Sequence, residues 1–205
     1  MRFPLIFRVR DPRRAFTLIE LLTVMAIIGI LAGITFGVVG SVRERSKISL
    51  CRTELAAIAA ALESYKRQYG DYPQAGAGTW TGLTSNEARL LQALVGRRGP
   101  TGSAITGKLF IDLSKFALSS AADPLTAANQ DNVKLQDPWG RDYFYFYKSA
   151  GWAAPSYTLL STGPNGLAFG AIATPTTSNL LNTNGTIANT AVNDPGAADN
   201  IYANQ

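Results

Sequence analysis

The chain has 205 residues, 46% of them hydrophobic, and a formal net charge of +5, enough for one modest domain with extensions. It contains no histidine and one cysteine, Cys51, which excludes imidazole bases, the usual zinc ligand, Ser-His or Cys-His catalytic devices and any intrachain disulfide. The positive charge is local: Arg2, Arg8, Arg10, Arg13 and Arg14 against Asp11 leave only +1 beyond residue 15, so no nucleic-acid-binding patch is expected in the folded part.

The basic leader, residues 1–15, precedes an apolar run at residues 16–39 whose single charge is Glu20. As a helix this run measures about 36 Å, enough to cross a hydrocarbon core of roughly 30 Å. The arginines before it belong on the cytoplasmic side. The run is long for the apolar core of a secretory signal, and no small-residue cleavage site closes it. A carboxylate inside a membrane span costs roughly 2.5–3.5 kcal/mol. Glu20 therefore needs a partner, or it snorkels to the headgroups from its place one turn into the run. Gly29, Gly33 and Gly37 recur every four residues, a spacing that lets helices approach closely. The other reading of these glycines is their ordinary abundance in membrane helices. Residues 16–40 are thus a transmembrane and assembly helix.

Residues 41–70 continue the same helix as an amphipathic half. Ile48, Cys51, Leu55, Ile58, Leu62, Tyr65 and Tyr69 recur in steps of three and four, an apolar stripe. Arg45, Lys47, Arg52, Glu54, Glu63, Lys66 and Arg67 are assigned to the other face. No proline interrupts residues 16–69, which predicts one helix of about 80 Å. Cys51 reads as a small buried hydrophobe. Gly70-Asp71-Tyr72-Pro73 ends the helix.

Residues 71–205 form the head. Thr84-Ser85-Asn86-Glu87 has capping-box spacing, ahead of a short helix burying Leu90, Leu91, Leu94 and Val95, with Gly96 suited to stop it. Residues 97–136 show no readable pattern. Asp137-Pro138-Trp139-Gly140 fits a type I turn, followed by an aromatic strand at 143–147 and its partner at 157–161. Trp139 and the aromatic run read as filling between sheet and helix. Residues 162–200 are turn-forming and predict a long loop. The expected fold is α+β: a long hydrophobic-then-amphipathic helix packed on a small antiparallel β-sheet, with a long C-terminal loop.

Arg14-Ala15-Phe16-Thr17-Leu18-Ile19-Glu20-Leu21-Leu22, continued by Ala26-Ile27-Ile28-Gly29-Ile30-Leu31-Ala32, closely resembles the class III signal of type IV prepilins and pseudopilins. The resemblance implies cleavage between Ala15 and Phe16 by a membrane-embedded prepilin peptidase and N-methylation of Phe16. It also implies pairing of Glu20 with the terminal amine of a neighbouring subunit during assembly. Ala15 departs from the glycine usual at that place in the family, and alanine is the next smallest residue.

The later segments Tyr65 with Gly70-Asp71-Tyr72-Pro73, Asp137-Pro138-Trp139-Gly140, Leu160-Ser161-Thr162-Gly163-Pro164-Asn165-Gly166 and Asp199-Asn200-Ile201 resemble the major pseudopilin of type II secretion. In that family the last two segments wrap a calcium ion. Here Asp194 and Asp199 are the carboxylates, while Asn165 and Asn200 stand where acidic residues are usual. The other reading is an asparagine-rich loop closed by Asx turns.

The resemblance implies the pilin-like form of this α+β fold and a structural subunit rather than an enzyme; it requires no cofactor, and a structural Ca2+ is the one ion the C-terminal segments could hold. It would polymerise with itself and other pilins or pseudopilins into a pseudopilus, after meeting the prepilin peptidase and an inner-membrane assembly platform. Its place would be the bacterial inner membrane, single-pass, with the head in the periplasm. The alternative within the family is a type IV pilin for adhesion, motility or DNA uptake, a reading that the lack of a C-terminal cysteine pair weakens. A membrane-anchored enzyme is the remote alternative, and the absence of histidine weighs against it.

Overall fold

The computed structural model describes residues 16–75, 80–126, 130–147, 157–167 and 200–203, with the backbone alone along 34–41. These residues divide into two units between Arg43 and Glu44. Helix α1, Leu18–Tyr69, contributes to both.

In the first unit the apolar side chains of α1 are bare. Leu18 is 82% exposed and Val24 47%, and Ile19, Leu21, Leu22, Met25, Ile27, Ile28, Ile30 and Leu31 lie between them. These positions follow one another so closely that they occupy every side of the helix. A helix that is hydrophobic all round is suited to lipid or to other helices rather than to water. Among the described residues no helix is long and apolar enough to cross a membrane. The span expected at 16–39 runs into the 34–41 stretch, whose side chains lie outside the described residues.

In the second unit the later turns of α1 form one wall of the core. Cys51, Leu55, Ile58, Leu62 and Tyr65 are buried, with Ile48 and Tyr69 half-buried beside them, as the three-and-four spacing requires. Burying each Leu or Ile contributes about 1.5–3 kcal/mol. Against this wall packs a three-stranded antiparallel sheet of β3 (Phe144–Tyr147), β4 (Tyr157–Ser161) and β5 (Ile201–Tyr202), with β4 in the centre. Phe144 lies opposite Leu160, Tyr147 opposite Tyr157, and Ser161 opposite Ile201. The aromatic strand and its partner thus form where composition placed them. The short β5 adds the C-terminal edge.

Helix α2, Asn86–Leu94, buries Leu90, Leu91 and Leu94 as expected. Its cap differs from the expected one. Ser85, not Thr84, accepts from the Ala88 amide at 3.2 Å. The Thr84 amide and hydroxyl are taken by the Asp131 carboxylate at 2.7 and 2.6 Å. Residues 97–136 fold without long elements: an Arg98–Ala104 bridge, a 3-10 turn at Leu113–Lys115, and a second small sheet of β1 (Ala117–Leu118) with β2 (Leu135–Gln136).

Two further expectations in the second unit are corrected by the structure. Glu54 was assigned to the exposed face of α1, yet it is only 8% exposed, because it stands three residues after Cys51 and four before Ile58, within the buried stripe itself. Trp139 does more than fill space. It is half-buried against the core, and its indole N–H donates to Glu44 Oε1 at 2.8 Å, so the turn it sits on is tied to α1.

Candidate functional sites at the helix start and the C-terminal turn

At the start of α1, Phe16 is 79% exposed, and Thr17 and Glu20 close on one another. The Glu20 amide donates to Thr17 Oγ1 at 3.2 Å, while the Thr17 amide and hydroxyl donate to Glu20 Oε2 at 3.3 and 3.2 Å. This reciprocal pair is a capping box, the solution for two amides that a helix start leaves without partners. A carboxylate here also faces the positive end of the helix dipole. The Thr-x-x-Glu spacing is itself a cap signature in the sequence, beside the needed partner and the snorkelling that its charge suggests. Only Oε2 takes part in the box.

Gly29 and Gly33 lie on α1 with open space around them; a Cβ at either would meet nothing within 4 Å. Gly37 lies on the same helix, in the stretch described as backbone alone. Ala15 lies outside the described residues, as do Asp194 and Asp199.

In the head, the Asp137 turn closes as predicted, with the Gly140 amide donating to the Asp137 carbonyl at 2.9 Å. Glycine suits position 140 because φ there is +81°. The buried Asp137 carboxylate then organises its surroundings. Oδ1 accepts from the Trp139 and Arg141 amides at 3.0 and 2.9 Å. Oδ2 accepts from the Ser161 hydroxyl at 2.6 Å, and Ser161 Oγ in turn accepts from the Gly163 amide at 3.0 Å. One carboxylate therefore fixes both the Asp137 turn and the exit from β4. Such a buried charge is tolerated because its lone pairs are filled by donors.

Beyond β4, the turn 162–166 is held from below by Arg141. Its guanidinium donates to the Gly163 carbonyl and, at 3.1 Å, to the Pro164 carbonyl. Asn165 Oδ1 accepts from the Leu167 amide at 2.6 Å, the Asx turn named as an alternative for this loop. The register of β4 with β5 brings Asn200 alongside Thr162, since Ser161 faces Ile201. The structure thus places Asn165 and Asn200 at the same end of the sheet. Among the described residues no cluster of three or more metal-ligating carboxylate, thiol or imidazole groups occurs. Arg141 was not foreseen, because nothing in its local sequence marks it: its partners lie 22 and 23 residues away.

Near these groups Tyr143 donates to Glu54 Oε2, and its hydroxyl is 3.7 Å from Cys51 Sγ. Burial pushes the Cys51 thiol and the Glu54 carboxyl up, the Tyr143 hydrogen bond partly offsets both, and the charge of Asp137 adds to the rise. The thiol is sequestered and unreactive in character, in line with its reading as a buried hydrophobe.

Comparison with known proteins finds a likeness at the start of the chain and another over most of its length. The prokaryotic N-terminal methylation motif matches residues 10–36. Type II secretion system core protein G of Pseudomonas aeruginosa is 29% identical over 159 residues, covering 77% of this chain and 89% of that protein. Its counterpart of the same name in Escherichia coli is 28% identical over 163 residues, covering 78% and 87%. No solved structure gives a significant match. With an N-terminal methylation motif at its start and a likeness that takes in more than three quarters of its residues, the chain is similar over most of its length to type II secretion system core protein G.

Proposed function

We propose that this chain is a structural subunit of a type II secretion-type pseudopilus. A prepilin peptidase cuts between Ala15 and Phe16 and methylates the new amine. The subunit then waits in the inner membrane with its head in the periplasm until an assembly platform adds it to the fibre. Its partners are other copies of itself, further pseudopilins and the membrane, and the chain does no chemistry of its own.

The observation that carries this reading is the start of α1: an all-round apolar helix whose only charge before Arg43, Glu20, is already folded into a capping box. Before assembly the box gives the carboxylate a partner at tolerable cost. During assembly the Phe16 amine of a neighbour supplies a positive charge, for which Glu20 is the acceptor. Gly29 and Gly33, with nothing against them, let helices of the fibre approach closely.

Mass spectrometry of the mature protein is expected to find N-methylated Phe16 as the first residue; an intact leader would overturn the reading. Glu20→Gln separates cap from charge, because glutamine still serves in a capping box but has no charge with which to form an ion pair with an amine. The variant is expected to insert into the membrane and fail to assemble. Normal fibres from it would remove the pairing role.

A further inference from the structure

The head has no intrachain disulfide or histidine to fasten it, and its strands among the described residues are two to five residues long. Arginine does the fastening. The Arg89 guanidinium donates to the carbonyls of Ala75 and Leu83, Arg97 to that of Leu125, and Arg98 to those of Gly102 and Thr81. None of these arginines forms an ion pair among the described residues, where the ion pairs are Lys115–Asp112 and Lys134–Asp142. The planar fork of the guanidinium suits this use, since it presents several donors in a fixed geometry and keeps its charge at any physiological pH.

Arg141 applies the same device to the turn after β4. We propose that the Arg141 guanidinium is the resident cation of the 162–166 turn and stands in place of a bound metal ion, so that the turn is held without calcium. Carbonyl oxygens on a flexible turn are what Ca2+ takes as ligands. Here the carbonyls of Gly163 and Pro164 are both occupied by guanidinium N–H groups. A divalent ion seated on them would have to displace a fixed positive charge.

Two further features show that the turn is shaped around this side chain. Gly166 has φ +73°, and a Cβ built there would lie 2.5 Å from Arg141 Nε, so the backbone closes directly onto the guanidinium. The root of Arg141 is also fixed. Its amide donates to Asp137 Oδ1 at 2.9 Å, and its carbonyl accepts from the Asp137 amide at 2.7 Å. Through Ser161, the same carboxylate holds the Gly163 amide. Arginine and target are thus referenced to one buried group. Of the residues expected to ligate calcium, Asn165 has its oxygen on the Leu167 amide. Thr162 Oγ1 is the one buried side-chain oxygen of the turn without a hydrogen-bond partner, which is why the test needs a calcium arm.

The test is thermal melting of the full-length protein in detergent, with EGTA or with millimolar Ca2+, for wild type, Arg141→Gln and Arg141→Lys. The wild-type melt is expected to be the same in both solutions. Arg141→Gln should melt lower in both, with Arg141→Lys in between because it keeps charge without the fork. Amide exchange in residues 163–167 should rise about tenfold in Arg141→Gln, the scale of losing a hydrogen bond to a charged group, and Ca2+ should not reverse it. A wild-type melt lowered by EGTA, or an Arg141→Gln variant as stable as wild type, overturns the proposal. If Arg141→Gln does not fold, amide exchange of the wild-type turn with and without EGTA still decides: faster exchange in EGTA refutes it, and unchanged exchange supports it.

Discussion

Tyr143 donates its hydroxyl proton to Glu54 Oε2 across 2.5 Å, in the buried seam between α1 and the start of β3. The bond gives a carboxyl that is 8% exposed a partner, but it does not restore what burial takes from the charged form. Glu54 remains raised above its ordinary value of 4.5, with desolvation the leading cause. A raised carboxyl stabilises the fold fully below its unfolded pKa, and that contribution is lost as pH rises through the folded value. Glu54→Gln, uncharged at every pH, should therefore remove a downward slope. The difference in melting temperature, variant minus wild type, is expected to grow from below about pH 4.5 toward neutrality. A flat difference across that window would show that Glu54 is not strained. Tyr143→Phe takes away the donor and is expected to cost about 1–3 kcal/mol, more at neutral pH than in acid, as read by denaturant melts.

The tyrosines make a second measurable set. Tyr65 donates to the Arg98 carbonyl, Tyr145 to the Pro73 carbonyl and Tyr147 to the Asp71 carboxylate. Burial pushes Tyr147 and Tyr157 up to about 12, and Tyr65, Tyr72, Tyr143 and Tyr145 higher still. For a phenol raised above its ordinary value of 10.0, the stabilisation is complete below that pH and disappears as pH climbs through the folded value. Ultraviolet titration should show most of the phenolate absorbance appearing only with unfolding, above about pH 12. Early, gradual ionisation near pH 10 would contradict the buried packing.

Gly96 is a stringent test of backbone geometry. It follows α2 with φ +75°, and a Cβ placed on it would lie 2.5 Å from the Lys108 carbonyl oxygen and 2.8 Å from Gly107. These are backbone atoms, which cannot swing aside as a side chain can. Gly96→Ala is expected to lower stability by about 1–3 kcal/mol from the strained φ alone, with the collision adding to it. A melt within a few tenths of a kcal/mol of wild type would mean that Gly96 does not lie against the Gly107 and Lys108 backbone.

Much of this protein was written locally. The capping box at Thr17 and Glu20, the buried face of α1 from Cys51 to Tyr65, the stop at Gly96 and the type I turn at Asp137 each depend on residues within one or two helical turns or a single β-turn. Short-range spacing can specify them because their geometry repeats. Glu54 shows the limit of that reasoning. Its spacing from Cys51 and Ile58 placed it on the buried stripe, yet its charge argued for the surface, and only the Tyr143 hydroxyl arriving from 89 residues away decided between them.

The sequence by itself determined the prepilin-type start, the long two-part helix, the aromatic strand and its partner, and the absence of any disulfide or histidine chemistry. Tertiary structure alone decided how the loops between these elements are closed. Asp131 reaches Thr84 across 47 residues, Trp139 reaches Glu44 across 95, and Arg141 reaches Gly163 across 22. Such contacts have no period and no fixed offset. Each pairs one polar group with a backbone or side-chain partner that is brought near only when the helix, the sheet and the turns have already packed.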